Sequence, residues 1–187
     1  LNKEGFNKLY WGFLFIMFDF RLAGFDILPD IVGYILFAMG FGLLIESSFQ
    51  FSKAKKYNFI LIFLSLFQIY EPQVQQQTGI NLGYYGAFGI IVGIGAFVLG
   101  LLTIYHLFMG IKEMAEQAGE ESVFDDIYAE ADKRWNQYLV LSIASLAGFV
   151  VMFIPVINLF YIMGILIASI ALMVAFMKFM KKCSYNF

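Results

Sequence analysis

Six long apolar runs, at residues 6–23, 29–49, 57–70, 82–109, 136–154 and 156–179, leave this 187-residue chain few folds to adopt. A helix crossing a hydrocarbon core of roughly 30 Å takes about 20 mostly apolar residues, and several of these runs approach or exceed that length. With 61% hydrophobic, 19% aromatic and only 14% charged residues, the composition belongs in lipid rather than in a soluble core. The expected fold is therefore an all-α integral membrane protein of six transmembrane helices, one membrane domain over residues 1–187. Lys3 and Lys8 ahead of the first run resemble a signal peptide. That run, however, meets Asp19 and Arg21 with no small-residue cleavage site, and it is read as a retained first helix.

Charge sets the orientation. With six spans, one side carries Lys3, Lys8, Lys53, Lys55, Lys56, Lys112, Lys133, Arg134, Lys178, Lys181 and Lys182, and the other carries only Arg21. The positive-inside rule then places both termini in the cytoplasm, with the cell membrane as the expected location. There is no basic patch of the kind that binds nucleic acid. The one cysteine, Cys183, excludes an internal disulfide and a cysteine-based metal cluster.

Short signals recur along the chain. Aromatic–Asn pairs stand at Phe6-Asn7, Tyr57-Asn58 and Trp135-Asn136. On the returning runs Tyr34, Tyr84 and Tyr161 keep nearly the same intervals. Allowing for an insertion between the fourth and fifth runs, the chain reads as three helical hairpins with a weak internal triplication. The plainer account is that aromatics favour membrane interfaces and Asn favours helix caps. Small residues form stripes at Gly86, Gly89, Gly93, Ala96, Gly100 and Thr103, and at Gly164, Ala168, Ala171 and Ala175. With a shorter face at Ser142, Ser145 and Gly148 on the fifth run, these predict close packing of the fourth, fifth and sixth helices. The 23 phenylalanines are expected to face lipid and fill gaps.

Three polar groupings are candidates for function. An outer cluster, Asp19, Arg21, Asp26 and Asp30, lies between the first two runs, where a hard cation would find oxygen ligands. Its structural alternative is an Arg–Asp pair with a helix cap ahead of Pro29. Glu46 and His106 fall near the cytoplasmic ends of the second and fourth runs and form a candidate proton-handling pair. The third grouping is the insertion at 111–134, whose Phe124, Ile127, Tyr128, Ala131 and Trp135 recur at helical spacing beside an excess of acids. Gly119 should end the preceding helix, and Ser122 with Asp125 resembles a capping box. An acidic helix is repelled by anionic lipid. Its apolar stripe must then cover the protein's own cytoplasmic face or meet a partner, for which Glu113, Glu116, Glu120, Glu121, Asp125, Asp126 and Glu130 form the docking surface.

No catalytic, cofactor-binding or metal motif is present in the sequence, and the nature of any cofactor is left open. The leading expectation is a non-enzymatic membrane module, seated in the bilayer, that acts through association with other proteins. The competing expectation is a small-solute or ion transporter, or the membrane-embedded substrate-binding subunit of one. An intramembrane enzyme comes third.

Overall fold

The computed structural model describes residues 1–17, 21–22, 25–26, 30–66, 86–119, 122–151 and 153–187. Six helices hold nearly all of them: α1 (Asn2–Met17), α2 (Asp30–Leu44), α3 (Phe49–Ser65), α4 (Gly86–Ala118), α5 (Ser122–Val151) and α6 (Pro155–Asn186). Between α1 and α2, β1 (Arg21–Leu22) and β2 (Phe25–Asp26) form a two-residue antiparallel ladder in which Arg21 is opposite Asp26.

Local chemistry explains the breaks. The second apolar run stops at Leu44 rather than at residue 49, because Ser47 N–H bonds back to the Leu44 carbonyl and Ser48 opens α3. Ser48 has extended backbone, φ −163° and ψ 139°, and its hydroxyl accepts from the Gln50 N–H at 3.1 Å, a side-chain N-cap. Lys53, Lys55 and Lys56 consequently lie inside the first turns of α3 rather than in a loop. Gly119 ends α4 as expected, at φ +107°, a backbone conformation open to glycine but strained for L side chains. Pro155 occupies the first turn of α6, where its missing N–H costs nothing.

The helices run alternately up and down in a closed ring, each packed on its neighbours in sequence and α6 returning to α1. The rings of Phe6, Phe13, Phe37, Phe41, Phe51, Phe108, Phe176 and Phe179 are wholly buried and fill its centre, whereas Phe49, Phe59, Phe63, Phe153 and Phe160 are exposed. Phe176 of α6 is the hub: its ring centroid lies 5.3 Å from Phe13 of α1, 5.0 Å from Phe108 of α4 and 6.0 Å from Tyr138 of α5. Edge-to-face geometry of this kind adds to simple area burial.

Among the described glycines, the closest backbone approach is between α1 and α2, not on the small-residue stripes of α4 and α6. Gly5 faces Gly40 and Gly12 faces Gly33. A Cβ on Gly33 would lie 2.8 Å from the Gly12 carbonyl oxygen, and one on Gly40 would lie 2.9 Å from that of Gly5. Two glycine pairs, each spaced by seven residues, thus let two backbones touch. Gly93 and Gly164, by contrast, face open space.

The two ends of the ring differ. The end that holds both termini, the α2–α3 turn and the α4–α5 turn is densely packed and tied by polar side chains. Ser47 donates to Asn2 Oδ1 at 2.9 Å, and Ser184 donates to the Lys3 carbonyl at 3.2 Å. At the opposite end α4, α5 and α6 run on with apolar side chains exposed, among them Ile91 (68%), Val150 (73%) and Phe160 (70%).

Two helices, Gly89–Ala118 and Val156–Asn186, are long and apolar enough to cross a membrane, while Asp30–Leu44 is apolar but shorter. At 1.5 Å per residue the 33 residues of α4 extend about 50 Å, well beyond a hydrocarbon core. α1, α2 and α3, with 16, 15 and 17 described residues, each fall below the about 20 that a span takes, and α3 begins at Phe49 rather than at residue 57. α5 has the length, but its first half is charged.

Candidate functional site

The densest polar network sits at the closed end, where α3 begins beside the last turns of α4. Ser48 donates from Oγ to Glu113 Oε2 at 2.5 Å, and Gln50 donates from Nε2 to Glu113 Oε1 at 2.6 Å. Gln50 Oε1 in turn lies 2.8 Å from His106 Nδ1. A carboxylate only accepts, so the Gln50 amide must turn its NH₂ to Glu113 and its oxygen to His106. His106 Nδ1 is therefore the donor, and neutral His106 carries its lone pair on Nε2. The imidazole stacks on Tyr57 at 5.5 Å and meets the edge of Tyr105 at 5.1 Å.

His106 thus has an acid in its network, but the acid is Glu113 rather than Glu46. Glu46 is exposed in the turn after α2, and no hydrogen bond or ion pair joins it to His106. The sequence signal was a spacing of seven: His106 and Glu113 share one face of α4. Ser48, Gln50, Tyr57 and Tyr105, which complete the site, come largely from α3, and no local pattern pairs them with α4.

The segment 111–134 forms no separate unit. It is the end of α4 and the start of α5, and its apolar stripe covers the protein's own core: Ile111, Met114, Ala115, Ile127 and Ala131 are buried. Three of its acids are bonded internally. Glu113 holds Ser48 and Gln50, while Glu130 binds Arg134 at 2.8 Å and Lys182 of α6 at 3.0 Å. Burial alone would raise the Glu130 carboxyl, but those two cations outweigh it and hold it below the ordinary carboxylate range. Lys112 pairs with Asp132 at 2.7 Å while lying 4.4 Å from the centre of the Tyr128 ring. Glu116, Asp125 and Asp126 remain exposed around Gly119. Glu120 and Glu121 lie outside the described residues.

Of the outer cluster, Asp19 also lies outside the described residues. Arg21 and Asp26 are cross-strand partners in the ladder, and Asp30 opens α2 in its first turn, the position favoured for an acid. No group of three or more potential metal ligands is found among the described residues. Cys183 is buried, and Ser145 donates to the Leu141 carbonyl at 2.9 Å. A central cavity of about 80 Å³ is lined by Tyr34, Thr103 and Tyr138 among apolar side chains. That is room for a few waters and well short of the roughly 300–1,000 Å³ of ordinary ligand pockets.

No family model, curated protein or solved structure matches the chain.

Proposed function

We propose that the chain is a multi-pass membrane protein of three helical hairpins and six spans, with both termini on the cytoplasmic side of the cell membrane, that works through protein association. Support for the membrane seat comes from the apolar side chains exposed along the open end of α4, α5 and α6. Support for orientation comes from the basic residues, eleven of which fall toward the closed end by the positive-inside reading.

The observation that carries the association reading is the division of labour among the acids. Glu113, Glu130 and Asp132 are spent on internal bonds, whereas Glu116, Asp125 and Asp126 remain exposed around the α4–α5 turn beside the exposed Val123. Between Lys112 and Lys133 the chain contains no lysine or arginine. A basic segment with an apolar anchor is the partner that such a tip accommodates.

Deleting residues 111–134 would strip five buried side chains from the core, so charge reversal is the cleaner test. The triple variant Glu116→Lys, Asp125→Lys, Asp126→Lys is expected to stay folded in mild detergent, with a loss of about 1 kcal/mol from the lysine in the first turn of α5. Opposing like charges cost several kcal/mol, so capture of the partner should fall at least about tenfold. Undiminished capture by the triple variant would refute the docking surface.

A further inference from the structure

A groove of about 550 Å³ runs along the outer face of α2 between α1 and α3. Its floor is Ile35, Met39 and Gly42 of α2, and its far wall carries Phe59 and Ile62 of α3. Ile35, Met39 and Phe59 are exposed by 44%, 48% and 53%, so this apolar channel has no cover among the described residues. At the closed end the same groove becomes polar, with Glu4 and Lys8 of α1 facing Lys55 of α3. Polarity therefore changes along the groove in the sense of a lipid: charged at the cytoplasmic end, apolar toward the bilayer centre.

The charges at the mouth favour an anion. Lys8 and Glu4 are 3.6 Å apart, an open pair beyond hydrogen-bond distance. Lys55 has no acidic partner among the described residues, and its ammonium lies over Gly42, where a Cβ would come within 3.2 Å of Nζ. The absence of a side chain at Gly42 leaves that ammonium on the floor of the groove, facing whatever fills it. Two lysines against one glutamate give the mouth a formal excess of one positive charge.

We infer that this groove is a binding site for one anionic phospholipid, with its phosphate between Lys8 and Lys55 and an acyl chain along Ile35, Met39, Phe59 and Ile62. Basic pockets between helices at the cytoplasmic face recognise acidic headgroups in this way, each lysine contributing about 1 kcal/mol. The inference rests on the membrane seat proposed above and assigns that seat a specific lipid.

The test is native mass spectrometry of the full chain from mixed micelles containing equal phosphatidylglycerol and phosphatidylcholine of matched acyl chains. The wild type should retain phosphatidylglycerol in preference by about fivefold for each lysine engaged, the factor equivalent to that 1 kcal/mol. Lys8→Gln/Lys55→Gln should reduce the preference to near parity, while Lys178→Gln/Lys181→Gln should leave it intact. Gly42→Leu, which fills the floor and keeps both charges, should lower retention of phosphatidylglycerol. Equal retention of the two lipids by the wild type, or a preference untouched by Lys8→Gln/Lys55→Gln, would overturn the site. Protection from heat by glycerol phosphate equal to that by the lipid would overturn the acyl-chain part. Alkaline extraction separates the two levels: a chain that stays with the membrane pellet yet shows no lipid preference refutes the groove alone. A chain released into aqueous buffer refutes the membrane seat as well.

Discussion

Replacing Phe176 by Ala is expected to lower the unfolding free energy by about 3–5 kcal/mol, the usual cost of removing a large buried aromatic ring. The ring is 1% exposed and makes aromatic contacts with Phe13, Phe108 and Tyr138, so its loss opens a void facing three other helices at once. Collapse around that void is hindered, because each of the three rings is also engaged elsewhere: Phe13 with Phe37, Phe108 with Phe179, and Tyr138 with Trp135. Phe160→Ala on the same helix is the control. Its side chain is 70% exposed, and its loss should change stability by less than about 0.5 kcal/mol. Denaturant titration in a fixed detergent, followed by tryptophan fluorescence, reads the difference. Equal effects at the two positions would mean that the ring of helices does not close as described.

The second large effect is opposite in sign at two kinds of glycine. In an isolated helix, Gly→Ala gains up to about 1 kcal/mol. At Gly164, where an added Cβ meets nothing within 4 Å, Ala should deliver part of that gain. At Gly40 the Cβ would lie 2.9 Å from the Gly5 carbonyl oxygen and 2.9 Å from Leu9 Cγ, so α1 and α2 must separate. Gly40→Val should therefore destabilise by about 1–3 kcal/mol, the range for overpacking a tight interface. Thermal unfolding of the two variants decides the matter, and stabilisation at Gly40 would show that the backbones do not touch there.

These glycines also mark where sequence reasoning stops. The stripe from Gly86 to Thr103 is more continuous than the pairs Gly5–Gly12 and Gly33–Gly40, yet the close approach is at the pairs. Helical periodicity identifies a smooth face but not the helix opposite it. Phenylalanine carries the same ambiguity: in a chain this apolar, Phe176 and Phe160 are indistinguishable until neighbours are known, because lipid and core both accept them. Features set by local backbone chemistry were legible. Gly119 turns the chain, and the stripe of Ile127 and Ala131 covers the protein's own face. The turn at residues 45–48 was not, because Glu46-Ser47-Ser48 between apolar runs contains neither Gly nor Pro. Its N-cap shows only in the Ser48–Gln50 bond.

At the candidate site the histidine was legible and its partner was not. His106 stood out as the single histidine, and an acid near its level along the membrane normal pointed to Glu46. The acid in its network is Glu113, reached through Gln50, a residue whose amide bridges the two only because α3 packs against α4. The aromatic–Asn pairs likewise have unlike surroundings. Asn58 is buried and donates to the Tyr34 carbonyl at 2.7 Å, Asn7 accepts from Ser184 at 3.2 Å, and Asn136 donates to Asp132 at 3.1 Å on the surface. Whatever repeat relates the hairpins, it does not extend to the bonds these asparagines make.

The central claim is that the closed, polar end of the ring, with the α2–α3 and α4–α5 turns, faces the cytoplasm and the turns within the three hairpins face outward. Cys183 is wholly buried, so single cysteines introduced elsewhere report against a silent background. Asp125→Cys marks the α4–α5 turn and Gln75→Cys marks the segment between α3 and α4. On intact cells a membrane-impermeant maleimide should label Gln75→Cys and leave Asp125→Cys unlabelled until the cells are permeabilised. Labelling of both from outside, or of Asp125→Cys alone, would contradict the account.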